Sequence, residues 1–500
     1  MGQLMELQNG SDIRGVACEG VPGERVNLTE NEVNVIGQAF ADWLAEQKRT
    51  VPGSLRIGVG HDSRVTADVL KTALFRGLTG RGARVADCGL VSTPSMFMTQ
   101  IYPSVHFDGG IMITASHLPF NRNGLKFFTG QGGLEKEDIT EILLRASSLE
   151  PCAGSPQQAE QMDTLSVYIE DLKGKIIEGV KNAPDRCRPL AGLHIVTDAG
   201  NGAGGFFPER VLAPLGADIS GSLYLDPDGM FPNHVPNPEN QQAMEVLRQA
   251  VMENRADLGL IFDTDVDRMS AVLSDGEEIN RDRLIAMMAA ILQEDYPGGT
   301  IVTDSVTSDR LTRFLEQELG MRHRRYKRGY KNVINEGIRL NREGILTPLA
   351  IETSGHGAMK ENYFLDDGAY MAVRLLIAAA NARQEGRSLA SYIEKMEDSR
   401  EEREYRIKIQ AENFREYGDR VLEVFEKRAK MAGYNVVPDS CEGVRLAFRG
   451  DEIRGWLLLR MSLHDPILPL NMEGERDGDC DRMTEAVKRL LEGFSELGWQ

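Results

Sequence analysis

Ser116 stands in the stretch IMITASHLPFNRNGLKF, residues 111–127, where a hydroxyl nucleophile could be presented at the mouth of a loop. Residues 111–113 are apolar and are followed by small and polar residues, which is typical of a buried strand that runs into a loop. Pro119 restricts the loop backbone, and Lys126 adds a titratable cation. Taken alone, a Ser-His pair in a loop is more often a cap or a surface feature.

Three aspartates, Asp263, Asp265 and Asp267, alternate in the sequence DTDVDR directly after an apolar run. Carboxylates this close repel one another unless a cation lies between them, and a site made only of oxygen ligands suits Mg2+. An EF-hand is excluded, because its sixth position would be Arg268 instead of glycine and its twelfth Ser274 instead of glutamate. An aspartyl nucleophile of the DxDx type fits the spacing, although Asp267 stands where that motif usually has a small hydroxyl residue. A plain acidic loop at a strand end is the remaining alternative.

Glu352, Ser354 and His356 alternate in the sequence ETSGH after another apolar run. A carboxylate and a hydroxyl are suited to sugar recognition, because each sugar hydroxyl both donates and accepts a hydrogen bond. Without further context, the same residues form an ordinary turn.

Other polar and glycine-rich segments are open to more than one interpretation. Arg14 (SDIRGV) and Arg64 (HDSRVT) stand beside aspartates and could form local ion pairs, and Arg14 could instead offer its guanidinium to a phosphate. Residues 198–205 (DAGNGAGG) lack the Lys-Ser/Thr pair of a Walker loop, so close packing of strand and helix is the better reason for glycine there. The basic run 322–331 is a solvated face beside a helix or a local anion site.

The elements that must position these residues alternate between strand and helix patterns. The predicted strands are residues 55–60, 83–88, 193–197, 258–262 and 300–305, and a further strand is expected in the apolar run that precedes ETSGH within residues 349–357. The predicted helices are residues 67–80, 207–215, 244–254, 308–319 and 370–382. This order predicts parallel sheets with crossover helices in three similar α/β units, with a polar linker at residues 150–162.

From about residue 398 the pattern changes. Residues 401–410 alternate between polar and apolar, a charged helix is predicted at 414–431, and strands are predicted at 444–448 and 455–460. A separate α+β domain of about 100 residues is expected here.

Length and composition restrict the class of protein. At 500 residues the chain is too long for one core, and roughly 100 to 200 residues per domain gives three to five domains. The net charge of −19 would repel a polyanion, so we expect no nucleic-acid partner. We expect no membrane association and a cytoplasmic location, because no apolar stretch is long enough to cross a bilayer and the N-terminus lacks the pattern of a signal peptide. Six cysteines without CxxC spacing indicate reduced thiols.

Four signatures occur in order along the chain: DIRG, TASHLP, DTDVDR and ETSGH. Together they resemble the α-D-phosphohexomutase family, which includes phosphoglucomutase and phosphomannomutase. The resemblance implies four domains in a heart-shaped arrangement around a central cleft, with three related α/β units of mixed sheets followed by a smaller α+β domain. We expect these domains at residues 1–158, 159–298, 299–397 and 398–500.

The resemblance also implies roles for individual residues. Ser116 would carry a phosphoryl group, and one phosphate oxygen would join Asp263, Asp265 and Asp267 around Mg2+. The other catalytic residues implied are His117, Lys126, Arg14 and His356. The substrate-binding residues implied are Arg268, Lys331, Glu352, Ser354, Arg460, Ser462 and His464.

The implied reaction moves a phosphoryl group between the 1- and 6-hydroxyls of glucose or mannose phosphate. Phosphoserine donates to the free hydroxyl, a hexose 1,6-bisphosphate forms and turns around, and its other phosphate returns to Ser116. Lys126 or His356 would accept the hydroxyl proton. The bisphosphate also serves as activator, and we expect a monomer or a homodimer.

The C-terminal segment departs from the family pattern R-x-S-G-T-E-P. Arg460 and Ser462 are kept, whereas Leu463 and His464 replace glycine and threonine, and Pro469 stands near the position of a following arginine. We hypothesise that His464 donates to phosphate, so that affinity falls as the pH rises through its titration.

Two other functions stay open at this point. A hexose 1,6-bisphosphate synthase would keep the phosphoserine and release the bisphosphate early, which the altered C-terminal segment could favour. A non-catalytic sugar-phosphate-binding regulator is disfavoured, because it would need neither the nucleophile nor the metal-binding carboxylates.

Overall fold

The computed structural model describes residues 2–438, 440–462 and 465–499. The chain forms two compact units. The first contains Met1–Asn280, Ser354–Gly357 and Leu365–Ser391, and the second contains Arg281–Thr353, Ala358–Phe364 and Tyr392–Gln500. Within the described residues, no helix is both long and apolar enough to cross a bilayer.

The N-terminal part of the first unit is a mixed α/β layer. Its strands are β1 (Gln8–Asn9), β2 (Asp12–Val16), β3 (Arg56–His61), β4 (Arg84–Leu90), β5 (Gly109–Ile113), β6 (Arg122–Thr129), β7 (Gly132–Gly133) and β8 (Glu160–Gln161). Its helices are α1 (Gly2–Met5), α2 (Glu30–Gln47), α3 (Ala67–Gly80), α4 (Thr93–Met98) and α5 (Lys136–Ala146). The strand order is β1-β2-β6-β5-β3-β4-β8, with β7 beside β6.

This sheet places two loops side by side. β3 and β5 are parallel neighbours, so the loops that follow them leave the same edge of the sheet. β6 returns antiparallel to β5 and pairs with β2, which brings Lys126 and Arg14 to the same region. The layer is held by a buried apolar core in which Phe40 of α2 packs on Phe127 of β6, with 4.8 Å between the ring centroids.

The second layer of the first unit carries the aspartate sequence. Its elements are α6 (Leu165–Gly179), β9 (Ile195–Asp198), a π-helical turn (Phe207–Leu212), α7 (Gln241–Asn254), β10 (Leu258–Phe262), β11 (Met269–Leu273) and β12 (Glu278–Ile279). β10 is parallel to β9 and antiparallel to β11. Phe262 pairs with Met269, so the six residues DTDVDR form the turn of a hairpin between two buried strands.

A third α/β layer follows. Its elements are α8 (Arg281–Gln293), β13 (Thr300–Thr303), α9 (Asp309–Arg313), a π-helical turn (Phe314–Glu318), β14 (Arg322–Arg325), α10 (Tyr330–Arg342), β15 (Leu349–Ile351), β16 (Gly357–Met359), β17 (Leu365–Asp366) and α11 (Gly368–Gln384). β13 lies between β14 and β15 and is parallel to both. α11 belongs to the first unit, and the side chain of Asp367 caps its start.

The C-terminal segment is an antiparallel sheet with helices against it. Its elements are β18 (Glu401–Ile409), α12 (Phe414–Met431), β19 (Asn435–Val436), β20 (Val444–Arg449), β21 (Arg454–Leu459), β22 (Ile467–Gly474), α13 (Asp479–Leu490) and β23 (Leu497–Gly498). The strand order is β19-β20-β21-β22-β18-β23. In the described part of the chain, three mixed α/β layers are therefore followed by an antiparallel sheet domain, which confirms the predicted fold class.

Most predicted elements agree with the structure, including the helices at 67–80 and 414–431 and the strand at 258–262. The predicted helix at 207–215 is shorter, a π-helical turn, and Pro208 at its start has no N–H to donate. The apolar run before ETSGH forms β15, which ends at Ile351, so Glu352 directly follows a strand as the sequence indicates, and β16 begins at Gly357. The six cysteines are free thiols, as expected.

Within the first unit, a buried hydroxyl joins the second layer to α11. The Tyr168 hydroxyl of α6 donates to Asp367 Oδ1 at 2.7 Å, and the same oxygen accepts the Tyr370 backbone N–H at the start of α11. Burial, with the adjacent Asp367 carboxylate, raises the pKa of Tyr168 well above its ordinary value. The phenol therefore stays neutral and keeps its donor role.

Replacing Tyr168 with phenylalanine should lower the free energy of unfolding of the protein by about 1.5–3 kcal/mol, because a hydrogen bond to a buried carboxylate is lost. Urea unfolding followed by circular dichroism measures the change. The control is Tyr363→Phe at a 58% exposed tyrosine, which should change stability by less than about 0.5 kcal/mol. Equal losses in both variants would contradict the role of the Tyr168 hydroxyl.

Candidate active site

Ser116 follows β5 in a strained, buried conformation. Its φ angle is 50°, in the left-handed region that residues other than glycine rarely adopt, and its N–H donates to Thr114 Oγ1 at 2.9 Å. The Ser116 hydroxyl donates to Asp263 Oδ2 at 2.9 Å and accepts from Arg268 Nη2 at 3.0 Å. The nucleophile predicted from the sequence thus lies between a carboxylate and a guanidinium of the aspartate hairpin.

Arg64 holds the backbone of the serine loop from inside. Its side chain is fully buried, and its two terminal nitrogens donate to carbonyl oxygens of Ser116, Leu118, Pro119 and Arg122. The loop backbone is therefore wrapped around one guanidinium, while the serine hydroxyl is directed to Asp263 and Arg268.

Asp62 belongs to the same arrangement. Its carboxylate accepts the Arg64 backbone N–H at 2.9 Å, and its second oxygen lies 3.5 Å from Arg64 Nε. Burial raises the pKa of Asp62 to about 6 in spite of the adjacent guanidinium. The ion pair that the sequence predicts for Arg64 is present, but the main role of the side chain is to hold the loop carbonyls.

Arg14 reaches the same loop from β2. Its Nη1 donates to the Ala115 carbonyl at 2.9 Å, and its Nη2 pairs with Asp12 at 2.9 Å. The predicted local ion pair and the predicted position near the serine are therefore both found.

The aspartate hairpin is tightly packed on its backbone side. Val266 has a φ of 68°, and the carbonyl of Thr264 accepts the Ala203 N–H at 2.8 Å. A Cβ added to Gly202 would lie 2.5 Å from that carbonyl oxygen. The glycine-rich segment, predicted to serve close packing, thus permits close approach to the turn that carries the three aspartates.

The three carboxylates differ in charge environment. Burial, together with Asp267, raises the pKa of Asp263 well above its ordinary value. Burial also acts to raise the pKa of Asp267, but Lys126, His356 and Arg268 outweigh it and hold that pKa well below its usual range. Lys126 Nζ lies 2.7 Å from Asp267 Oδ2 and 3.9 Å from Asp265 Oδ2.

Arg268 contacts several groups of the site. It is 2% exposed, and its Nε donates to Asp263 at 3.0 Å and its Nη1 to Asn237 Oδ1 at 3.1 Å. Its Nη2 lies 2.7 Å from His117 Nδ1. Burial and the charge of Arg268 lower the pKa of His117 to about 2, so the imidazole is neutral and its Nδ1 accepts from the guanidinium.

His356 lies on the other side of Asp267. Its Nδ1 hydrogen-bonds Asp366 and is 3.9 Å from Asp267 Oδ1. Burial by itself lowers the pKa of His356, but the carboxylates of Asp366 and Asp267 outweigh it and raise that pKa to about 9.

The aspartate residues fit a hard divalent cation. Oxygens of Asp263, Asp265 and Asp267 all lie within 4.8 Å of one another. The Oδ1 atoms of Asp265 and Asp267 are buried without a hydrogen-bond partner among the described residues. Buried carboxylate oxygens that accept no hydrogen bond are suited to a cation, and an oxygen-only donor set suits Mg2+.

The structure thus brings together most of the residues predicted for catalysis and metal binding. They are Ser116, His117, Lys126, Arg14, His356, Arg268, Asp263, Asp265 and Asp267, and all belong to the first unit. Ser354 also belongs to this unit, and it is buried.

The remaining predicted substrate contacts lie in the second unit. Glu352 accepts the Gly329 N–H at 2.6 Å, and Lys331 is in the first turn of α10. Arg460 directly follows β21, and Ser462 Oγ accepts the Asp465 N–H at 3.2 Å. His464, with Leu463, lies outside the described residues.

Several residues of the site have no clear signal in the sequence. Thr93 donates its hydroxyl to Asp265, and Asn237 and Asp366 contact Arg268 and His356. Most of these contacts join residues that are far apart in the chain, so only the folded structure shows them. The sequence HDSRVT indicates an ion pair for Arg64, but it gives no sign of the carbonyls that Arg64 binds.

Comparison with known proteins identifies the family. Residues 5–149, 166–276 and 280–399 match alpha/beta/alpha domains I, II and III of phosphoglucomutase/phosphomannomutase. The chain is 30% identical to a phosphomannomutase/phosphoglucomutase of Pseudomonas putida, over 96% of this chain and 94% of that protein. It is 30% identical to a phosphoglucomutase of Neisseria gonorrhoeae, over 98% of this chain and 97% of that protein.

A solved structure agrees with this. The crystal structure of a phosphoglucomutase/phosphomannomutase family protein from Burkholderia thailandensis matches with a TM-score of 0.78 at 26% identity, covering 99% of both chains. The chain belongs to the α-D-phosphohexomutase family, as its motifs indicated. It is an isomerase of the phosphoglucomutase/phosphomannomutase type.

Arg64→Lys should lower the turnover of this isomerase by about two orders of magnitude. An ammonium group cannot bind four carbonyls as a guanidinium fork does, and a shift of about 1 Å in a reacting group costs about 100-fold. Steady-state kinetics, with thermal unfolding to verify the fold, measures the effect.

The matched control is Arg122→Lys on the same loop. The Arg122 side chain is 34% exposed, and within the described residues its guanidinium pairs only with Glu24. Its turnover should stay within about twofold, as expected for an exposed pair. Equal loss in both variants would show that Arg64 has no special part in holding the serine.

Proposed function

We propose that the protein is a phosphohexomutase that moves a phosphoryl group between the 1- and 6-hydroxyls of glucose or mannose phosphate. The observation that carries the proposal is the Ser116 hydroxyl, held at 2.9 Å from Asp263 and 3.0 Å from Arg268 beside three clustered carboxylates. The names of the relatives from Pseudomonas putida and Neisseria gonorrhoeae support the choice of hexose phosphates.

Mg2+ would be held by Asp263, Asp265 and Asp267 together with an oxygen of the phosphorylated Ser116. When bound, it would neutralise charge on the oxygens of the phosphoryl group. Thr93 would orient Asp265, and Lys126 would offset the charge of Asp267.

In the first half of the reaction, the bond between the Ser116 oxygen and phosphorus breaks and a bond from phosphorus to the free sugar hydroxyl forms. Arg268 donates a hydrogen bond to the Ser116 hydroxyl and would stabilise negative charge on the oxygens of the phosphoryl group during transfer. The proton of the sugar hydroxyl must end on the Ser116 oxygen as that oxygen leaves phosphorus, and Lys126 and His356, which flank Asp267, are the proposed carriers of that proton. The bisphosphate then turns around, and the same residues act in reverse to return the other phosphate to Ser116.

Sugar and phosphate recognition is proposed for the remaining residues. Glu352, Ser354 and His356 would bind sugar hydroxyls. Lys331, Arg460, Ser462 and His464 would bind the phosphate that is not being transferred. The division into four domains at 1–158, 159–298, 299–397 and 398–500 is likewise a proposal.

The activity test incubates Mg2+-loaded protein with glucose 1-phosphate, mannose 1-phosphate or an N-acetylated analogue, each with its bisphosphate as primer. We expect interconversion of the glucose or mannose phosphate, and Ser116→Ala should lose it while keeping its fold. Mass spectrometry should find phosphate on Ser116. Absence of both interconversion and phosphoserine would reject the mutase, and accumulation of bisphosphate would select a synthase.

Metal binding has its own test. Asp265→Asn should weaken Mg2+ binding by at least about tenfold, since changes even to outer-shell partners of a metal cost about 10- to 100-fold. Calorimetric titration measures this without turnover. The control, Asp275→Asn in the exposed turn after β11, should keep the wild-type affinity. An unchanged affinity in Asp265→Asn would place the cation elsewhere.

A further inference from the structure

Glu442 lies in the second unit, just before β20, and its carboxylate contacts three different groups. Its Oε2 accepts the Ser305 hydroxyl at 2.6 Å and the Arg328 backbone N–H at 3.1 Å. Its Oε1 lies 3.6 Å from Arg460 Nη1. The Glu442 side chain is only 12% exposed, so this is a largely buried carboxylate at the meeting point of separate loops.

The backbone next to Glu442 is built to approach Arg460. Gly443 has a φ of 62°, and a Cβ there would lie 2.2 Å from the Leu459 carbonyl oxygen and 2.7 Å from the Cα of Arg460. Any side chain at Gly443 would therefore push the turn away from the end of β21. The glycine lets the Glu442 carboxylate reach the Arg460 guanidinium.

Arg460 has hydrogen-bonding capacity left for a ligand. Its side chain is 8% exposed, and its Nε is buried with no hydrogen-bond partner among the residues that the structure describes. Its Nη1 donates to the Met461 carbonyl at 3.3 Å. A buried guanidinium N–H without an acceptor is uncommon, and guanidinium groups form strong hydrogen bonds with phosphate.

The turn at residues 328–329 connects Glu442 with the proposed sugar loop. The Arg328 N–H is bound by Glu442, and the next N–H, that of Gly329, is bound by Glu352 at 2.6 Å. The consecutive N–H groups of Arg328 and Gly329 thus hold two carboxylates in place. Glu442 lies beside Arg460, the proposed phosphate contact, and Glu352 lies in the proposed sugar loop. Displacing Glu442 would disturb both.

We propose that Glu442 is a positioning residue for Arg460, which orients the guanidinium and, as a resident anion, limits how tightly it holds a phosphate. This inference rests on the proposed mutase function. A bisphosphate that must turn around needs phosphate contacts that can be broken. Binding every form of the ligand more tightly does not raise turnover. A carboxylate that shares the guanidinium with the incoming phosphate meets that need.

The test measures binding of inorganic phosphate and of glucose 1-phosphate by calorimetry in a Ser116→Ala background. Glu442→Gln keeps the size of the side chain and an acceptor oxygen but removes the charge. It should tighten both ligands roughly two- to fivefold, the size of one partly screened ion pair. Glu442→Asp, which keeps the charge, should stay within about twofold of the parent.

Two controls locate the effect. In an Arg460→Gln background, Glu442→Gln should no longer tighten phosphate binding. Without the Arg460 guanidinium, Glu442 and the phosphate have no common partner to compete for. Glu404→Gln removes another carboxylate that influences Arg460 only through space, and it should leave both affinities nearly unchanged. Thermal unfolding verifies that each variant is folded.

Weaker or unchanged phosphate binding in Glu442→Gln, or tightening that persists without Arg460, would overturn the proposal. A purely structural residue would not give tighter binding. With active Ser116, the Gln variant should show a lower KM together with a lower kcat, since release is slowed. If affinities shift as expected and no hexose phosphate is interconverted, the mutase function fails and the role of Glu442 toward phosphate stands.

Discussion

Three carboxylates buried in one hairpin turn impose the central constraint on this protein. Removing such charges from water is costly unless cations lie close by. The chain supplies Lys126 at 2.7 Å from Asp267 and Arg268 at 3.0 Å from Asp263. Because one of these cations comes from the first layer, the hairpin and the serine sheet must be held together for the charges to be balanced. The geometry of the proposed active site follows from that electrostatic requirement.

A buried cation also holds Ser116, the proposed nucleophile. Ser116 is kept in the left-handed region by contacts that do not involve its hydroxyl, chiefly the guanidinium of Arg64 on the loop carbonyls. Strain of this kind costs about 1–3 kcal/mol and persists only where the surroundings over-determine the conformation. The hydroxyl is therefore aimed before any ligand arrives, which reduces the reorganisation needed during reaction.

Much of the fold and of the site can be predicted from the sequence, and the limits have physical causes. β10 and the turn after it are predictable because an apolar run followed by alternating aspartates is typical of a buried strand that ends at a polar edge. For Arg64 only the local ion pair is predictable, because its four acceptors are backbone carbonyls, which leave no mark in a sequence. The contact of Asn237 with Arg268 depends on tertiary packing and has no local signal.

The first unit is discontinuous in sequence. Besides residues up to Asn280, it contains Ser354–Gly357 and Leu365–Ser391, which follow β13, β14 and β15 in the chain. His356 and Asp366, which lie beside Asp267 and each other, are therefore synthesised well after the hairpin that they complete. During synthesis, domains usually fold as units from the N-terminus. Here the acidic turn is synthesised before His356 and Asp366. A nascent chain that stops before these residues would lack these charged groups beside Asp267.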